Sequence, residues 1–180
     1  RIIKRVLDAG ADGIIIPNVK SKNEALKAVS SVKYPPFGNR GVGLARAQKY
    51  GFGFENYKDV IAKDIKLIVQ IEHIDAINNL DEILSIEYID GSFIGPYDLS
   101  GSMGKPGSFN DSDVVDVLKK YEKIAKTYDK FIGYHIIQPD YKLVVDKIKS
   151  GYNFIAFSLD TLFLGTLVKN QMKLLKNNLK

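Results

Sequence analysis

The chain has 180 residues, 45% of them hydrophobic and 26% charged, which suits one globular domain with a real core and leaves no low-complexity tract. It contains no cysteine, which excludes disulfides and thiolate metal sites, and no apolar run of membrane-spanning length, so no membrane partner is expected. The net charge of +5 comes from lysines spread along helix faces and the C-terminal stretch KNQMKLLKNNLK, a solvated pattern without the clustered arginines and aromatics of a nucleic-acid surface. A cytoplasmic protein with no nucleic-acid partner is the expectation.

In chain order, the sequence opens on RIIKRVLDAG, already inside an amphipathic helical pattern, so we expect the chain to begin part-way through its fold. A β-branched run, GIIIP, follows. SKNEALKAVSSV then starts with a capping-box pair, Ser21 and Glu24. KLIVQIE is the second apolar run, and HIDAINNLDEILS the helix after it. SFIGP, KFIGYHII and NFIAFS are three more such runs, separated by DVVDVLKKYEKIAKTY and PDYKLVVDKIKS. TLFLGTLVKNQMKLL closes the series, and no linker marks a second domain within residues 1–180.

Five nearly all-apolar runs alternating with amphipathic helices predict a parallel α/β sheet covered by helices. Open doubly wound sheets and closed (β/α) barrels both fit. Polar residues gather at the C-terminal ends of several runs, where barrel enzymes keep their chemistry, and this favours a TIM barrel. Five strands do not close a barrel of eight. We therefore expect about three βα units before Arg1, or another chain on the open edge.

Two of these runs end in a carboxylate. Glu72 closes KLIVQIE, and Asp98 follows SFIGP after the turn at Gly95 and Pro96. Strand alternation puts Gln70 and Glu72 on one face, with Glu72 at the mouth. Two carboxylates from adjacent strands, with no His or Cys obviously converging on them, suit a hard divalent ion. Mg²⁺ is expected first, with Mn²⁺ or Co²⁺ as substitutes. The plainer alternative is that Glu72 pairs with a lysine while Asp98 caps the next helix. A glycosidase-type carboxylate pair is a third, which only a distance separates from the others.

RGVGLARA (40–47), QIE (70–72) and FIGPYDLSGSMGKPG (93–107), in this order and spacing, resemble the HpcH/HpaI aldolase family over Arg1 to about Val168. The resemblance implies an eight-stranded barrel of which this chain carries strands 4–8. It implies a metal-dependent aldolase that cleaves a 2-keto-3-deoxy or 4-hydroxy-2-oxo acid to pyruvate and an aldehyde through a metal-stabilised enolate. Glu72 and Asp98 match the metal ligands, Gln70 a substrate-contacting residue, and Tyr97 and Asp98 the turn that meets the substrate carboxylate through its backbone. Tyr97 stands where family members often carry a small side chain. Asp8 matches an acid that raises the basicity of the catalytic His; its other reading is a surface acid at a helix end. That His, and the transition-state Arg, belong to family segments preceding position 1. If the whole protein lacks them, the alternative is a non-catalytic keto-acid-binding barrel or an assembly subunit. The resemblance also implies a homo-oligomer, a dimer or hexamer, with TLFLGTLV packing on another subunit.

Other candidates receive plainer readings. Lys66 sits at the wrong end of its strand for Schiff-base chemistry, and Lys20 is expected to be solvated in a loop. His73 is expected to pack away from Glu72, and His135 to be a structural histidine facing the interior. Arg40 and Arg46 flank a loop that closes over the site, touches a neighbour or is simply solvated. The last two strand-to-helix loops, IIQPD and SLDTLFLG, are acidic rather than Gly-rich, which argues against a phosphorylated substrate.

Overall fold

The structure is a computed structural model that describes residues 2–179. Five strands form one parallel sheet: β1 (Gly13–Ile16), β2 (Lys66–Ile71), β3 (Gly91–Ile94), β4 (Phe131–Ile136) and β5 (Phe154–Phe157). They lie side by side in sequence order, so β1 and β5 carry the free edges. All five apolar runs therefore became strands, each hydrogen-bonded to the next.

The helices follow the amphipathic patterns. α1 (Ile2–Asp8) precedes β1, and α2 (Lys22–Val32) follows it. Residues 33–65 hold a 3-10 turn (Arg46–Gly51) and a helical stretch made of α3 (Phe54–Asn56), a π turn (Tyr57–Ile61) and α4 (Ala62–Asp64). Next come α5 (Ile74–Asn78), α6 (Leu80–Leu84), α7 (Pro96–Ser102), α8 (Ser112–Ala125), α9 (Tyr141–Lys149) and α10 (Asp160–Asn178). The stretch read as one helix after β2 is two, because Asn79 leaves helical geometry at φ −102° and ψ 8°. The capping box at α2 is also altered. Ser21 Oγ accepts the Glu24 N–H at 3.3 Å as expected, but the Glu24 carboxylate takes the N–H of Lys20, at 2.7 Å.

Alternate residues of each strand divide the sheet into two faces. Leu67, Val69, Ile71, Ile94 and Ile132 point to the helices and form the core with Ala25, Val29, Ile77, Leu80, Ile83 and Tyr121. Burying a side chain of this kind is worth about 2 kcal/mol, so this layer carries most of the stability. One polar link runs through it: Ser92 Oγ and Tyr121 Oη lie 2.9 Å apart, and Tyr121 donates to the Gly133 carbonyl at 3.3 Å. Ile68, Gln70, Phe93, Gly133 and His135 occupy the other face. There Gly133 is required, because a Cβ would come within 2.6 Å of the Phe93 ring and 2.9 Å of the Phe154 ring.

Candidate active site at the strand ends

β2 ends by delivering Gln70 and Glu72 to one face, as the alternation predicts. Gln70 Nε2 donates to Glu72 Oε2 at 2.8 Å, which fixes the carboxylate's orientation. β3 ends one strand away. Gly95 donates its N–H to the Ile71 carbonyl at 3.1 Å, and Pro96 then starts α7. A Cβ at Gly95 would meet Gln70 Nε2 at 3.1 Å and Glu72 Cβ at 3.3 Å, so the absence of a side chain there lets the two strand ends close up. Asp98 sits in the first turn of α7, exposed at the rim.

Glu72 and Asp98 line one open cleft, with Asn18, Lys20, His73 and Ser102. Burial pushes the Glu72 carboxyl above its ordinary range, the nearby Asp98 charge adds to this, and a hydrogen bond from the Asn18 backbone opposes it. Neither acid is among the ion pairs of the described residues. A half-buried carboxylate held by an amide and repelled by a second carboxylate is a site short of positive charge. The two carboxylates offer oxygen donors only. No group of three or more His, Cys, Asp and Glu that could hold an ion occurs among the described residues. A two-carboxylate site fits Mg²⁺, which keeps several waters and takes further oxygens from its ligand.

Two plain readings need correction here. His73 lines the same cleft as Glu72 instead of packing away from it; its Nδ1 caps α5 by accepting the Asp75 N–H at 3.1 Å. Lys20 is half-buried in the cleft wall instead of solvated in a loop. Strand alternation carried past β2 gives the wrong face for His73, because β2 ends at Ile71 and His73 turns to cap α5.

Tyr97 turns away from this cleft. Its ring meets Phe109 edge-on at 4.7 Å and lines a separate apolar cleft of about 180 Å³ with Tyr134, His135 and Leu143. His135 packs on Phe93, ring centroids 6.0 Å apart, on the face away from the helices. Lys66 pairs with Asp90 at 3.6 Å at the strands' N-terminal ends.

Asp8 lies at those N-terminal ends too, because α1 runs back along the sheet before β1 begins. It is buried, not a surface acid. Its Oδ1 accepts from Arg40 Nη2 at 2.9 Å and Gln48 Nε2 at 3.3 Å, and its Oδ2 pairs with Lys4. Burial raises the Asp8 carboxyl, but the bonds from Arg40, Lys4 and Gln48 together outweigh it and hold the group below its usual value. Arg40 is therefore not a solvated loop residue. Its Nη2 also donates to Tyr57 Oη at 2.9 Å, while Nε and Nη1 meet no oxygen and the guanidinium lies over the Tyr34 and Tyr57 rings. Arg46 anchors the loop's other end on the Ala9 carbonyl at 3.0 Å. The structure thus brings Glu72, Gln70 and Asp98 together and leaves Asp8 at the opposite end of the sheet.

Residues 1–164 match the model of the HpcH/HpaI aldolase/citrate lyase family. The chain belongs to that family. Among curated relatives of this HpcH/HpaI chain is the 2-keto-3-deoxy-L-rhamnonate aldolase of Escherichia coli O6:K15:H31, 36% identical over 98% of the chain. The chain spans 66% of that relative's length. A crystal structure of an HpcH/HpaI aldolase/citrate lyase family protein from Burkholderia cenocepacia J2315 superposes with a TM-score of 0.87 at 26% identity, covering 97% of this chain and 68% of that one. An HpcH/HpaI aldolase from Desulfitobacterium hafniense DCB-2 gives 0.85 at 27% identity, covering 97% and 67%. The resemblance read from RGVGLARA, QIE and FIGPYDLSGSMGKPG is thereby shown.

Proposed function

We propose that this chain is part of a divalent-metal-dependent aldolase, a carbon–carbon lyase that cleaves a 2-keto-3-deoxy or 4-hydroxy-2-oxo acid to pyruvate and an aldehyde. The observation that carries this reading is the pairing of Glu72 with Asp98 in one cleft at the ends of adjacent parallel strands. Membership of the family and the relative named an aldolase support it.

Glu72 and Asp98 hold the cation, Mg²⁺ before Mn²⁺ or Co²⁺. When bound, the cation supplies Lewis acidity that stabilises negative charge on the keto oxygen of the substrate. The chain's own residues do the rest of the positioning. Gln70 locks Glu72 through its 2.8 Å bond and presents its remaining amide edge to the ligand. The backbone at Tyr97 and Asp98 faces the substrate carboxylate, a contact that does not depend on Tyr97's ring, which is engaged with Phe109. Gly95 keeps this wall close to Glu72. Asp8's oxygens already serve Arg40, Lys4 and Gln48, so a catalytic histidine would compete for them; its role is to anchor the segment from Arg40 to Arg46.

The five strands are read as strands four to eight of a (β/α)8 barrel, with the free edges of β1 and β5 as the seams at which further barrel strands would pair. The working form is a homo-oligomer. α10 supports this: Leu164, Leu167, Val168, Met172 and Leu175 form an exposed apolar stripe at helical spacing. The protein works in the cytoplasm; no described helix is long and apolar enough to cross a membrane.

The test is pyruvate release from 2-keto-3-deoxy acids with Mg²⁺. We expect activity that disappears in EDTA, returns with Mg²⁺ or Mn²⁺, and falls at least roughly 100-fold in Glu72→Ala. Turnover indifferent to chelation and to Glu72→Ala would remove the proposal.

A further inference from the structure

The cleft that holds Glu72 and Asp98 has one further charged wall. Lys20 reaches it from the segment after β1. Its main chain is fixed on both sides: the N–H donates to the Glu24 carboxylate at 2.7 Å, and the carbonyl accepts from Asn79 Nδ2 at 2.8 Å. Val19, next to it, is buried and donates its N–H to the Gln70 carbonyl at 3.3 Å. Three elements thus set where the Lys20 side chain starts, and the side chain is half-buried against the cleft.

Two of the other polar walls are already engaged. His73 caps α5, and Ser102 Oγ accepts the Ile74 N–H at 3.0 Å while donating to the Leu99 carbonyl at 2.7 Å. Lys20 is different. Its ammonium enters none of the ion pairs among the described residues, although two carboxylates share its cleft. A lysine beside uncompensated acids, yet out of contact with them, is set to meet something held between. Charge counting says what. Glu72 and Asp98 carry two negative charges, and a divalent cation cancels both. Lys20 then leaves the loaded cleft one positive charge in excess, and that charge attracts a ligand bearing two negative charges about twice as strongly as one bearing a single charge.

We propose that Lys20 is a specificity-determining residue that selects dianionic 2-oxo-type ligands over monoanionic ones, its ammonium meeting the oxygen charge the divalent cation leaves unbalanced. This rests on Glu72 and Asp98 being a cation site. The ligand class is a planar dianion: the enolate of a 2-keto acid, or a compact diacid of the same shape. Lys20 therefore favours the reacting form of the substrate over its resting monoanion.

The test uses the purified protein in its native assembly and reads binding, not turnover. Mn²⁺ affinity is measured from the spin-resonance signal of the free ion. Oxalate, a planar dianion, and pyruvate, a monoanion, are then titrated calorimetrically into the Mn²⁺-loaded protein. In Lys20→Met we expect Mn²⁺ affinity within about threefold of wild type, oxalate weakened by roughly tenfold or more, and pyruvate weakened clearly less. Lys20→Arg should restore oxalate binding, and an unchanged melting temperature in both variants excludes a folding effect. Oxalate binding unaltered in Lys20→Met with Mn²⁺ retained would overturn the assignment of Lys20 alone, as would equal weakening of oxalate and pyruvate. Wild-type protein that binds no Mn²⁺, or binds it equally in Glu72→Ala, would overturn the cation site and the Lys20 proposal with it.

Discussion

Gly95 shows how much a single hydrogen in place of a methyl can decide. Gly95→Ala would put a Cβ 3.1 Å from Gln70 Nε2 and 3.3 Å from Glu72 Cβ, both on a rigid strand end. We expect Mn²⁺ affinity to fall by roughly tenfold, the range seen when the support of a metal ligand is disturbed. Spin resonance of the free ion checks this, and Gln70→Ala should show a loss of similar size. At the other end of the sheet, Arg40→Met would leave a buried carboxylate short of its main partner. It should cost about 3 kcal/mol of unfolding free energy in urea titrations. Asp8 also gives a pH signature. Its carboxyl is held below the unfolded value, so its stabilisation is complete above about pH 4 and is lost as acid takes the pH below its folded value. Asp8→Asn should be less stable near neutrality and lose that part of the acid dependence, as a series of melts below pH 5 would reveal. The shared cleft of Glu72 and Asp98 was legible because one acid closes an apolar run and the other follows the next run after a Gly-Pro turn, where a charge needs a reason. Lys20 was not, since a lysine four residues past a strand reads as solvent-facing until Asn79 and Glu24 are seen to grip its backbone. The Arg40–Asp8 pair, 32 residues apart, left no local trace.

Among the elements, the strands announced themselves most clearly. Runs such as KLIVQIE and SFIGP are apolar on both faces, and only a covered parallel sheet uses them. The helical stretch from Phe54 to Asp64 went unread, because FENYKDVIAKD mixes charges and aromatics without a clean stripe and is broken by a π turn. The division between α5 and α6 also escaped, since Asn79 leaves the helix to bind the Lys20 carbonyl, a tertiary contact that helical periodicity does not encode. α8 rests on a bond that can be tested alone. Tyr121→Phe removes the hydroxyl shared with Ser92 and leaves a buried serine unpaired, so it should destabilise by about 1–2 kcal/mol. The double variant Tyr121→Phe with Ser92→Ala should recover part of that loss, and a thermodynamic cycle from urea melts measures the coupling.

The molecule as a whole is an open sheet whose helices guard one face, so its surface is less finished than a closed fold's. On the other face Ile15 and Phe131 remain exposed, and α10 presents its apolar stripe to solvent. If α10 seats on a second copy, Leu164→Asp together with Val168→Asp should shift sedimentation toward a smaller species without altering the strand signature in circular dichroism. Fold class was readable from alternation alone, whereas the partners of the exposed edges lie beyond what one chain's periodicity contains. The unbroken neighbour order of the five strands bears on how the polypeptide matures. Each strand leaving the ribosome finds its mate in the one made just before, so the sheet can lengthen one step at a time during translation. Nothing already laid down has to part to admit a latecomer, and the registry error open to parallel proteins with interleaved strand orders is avoided.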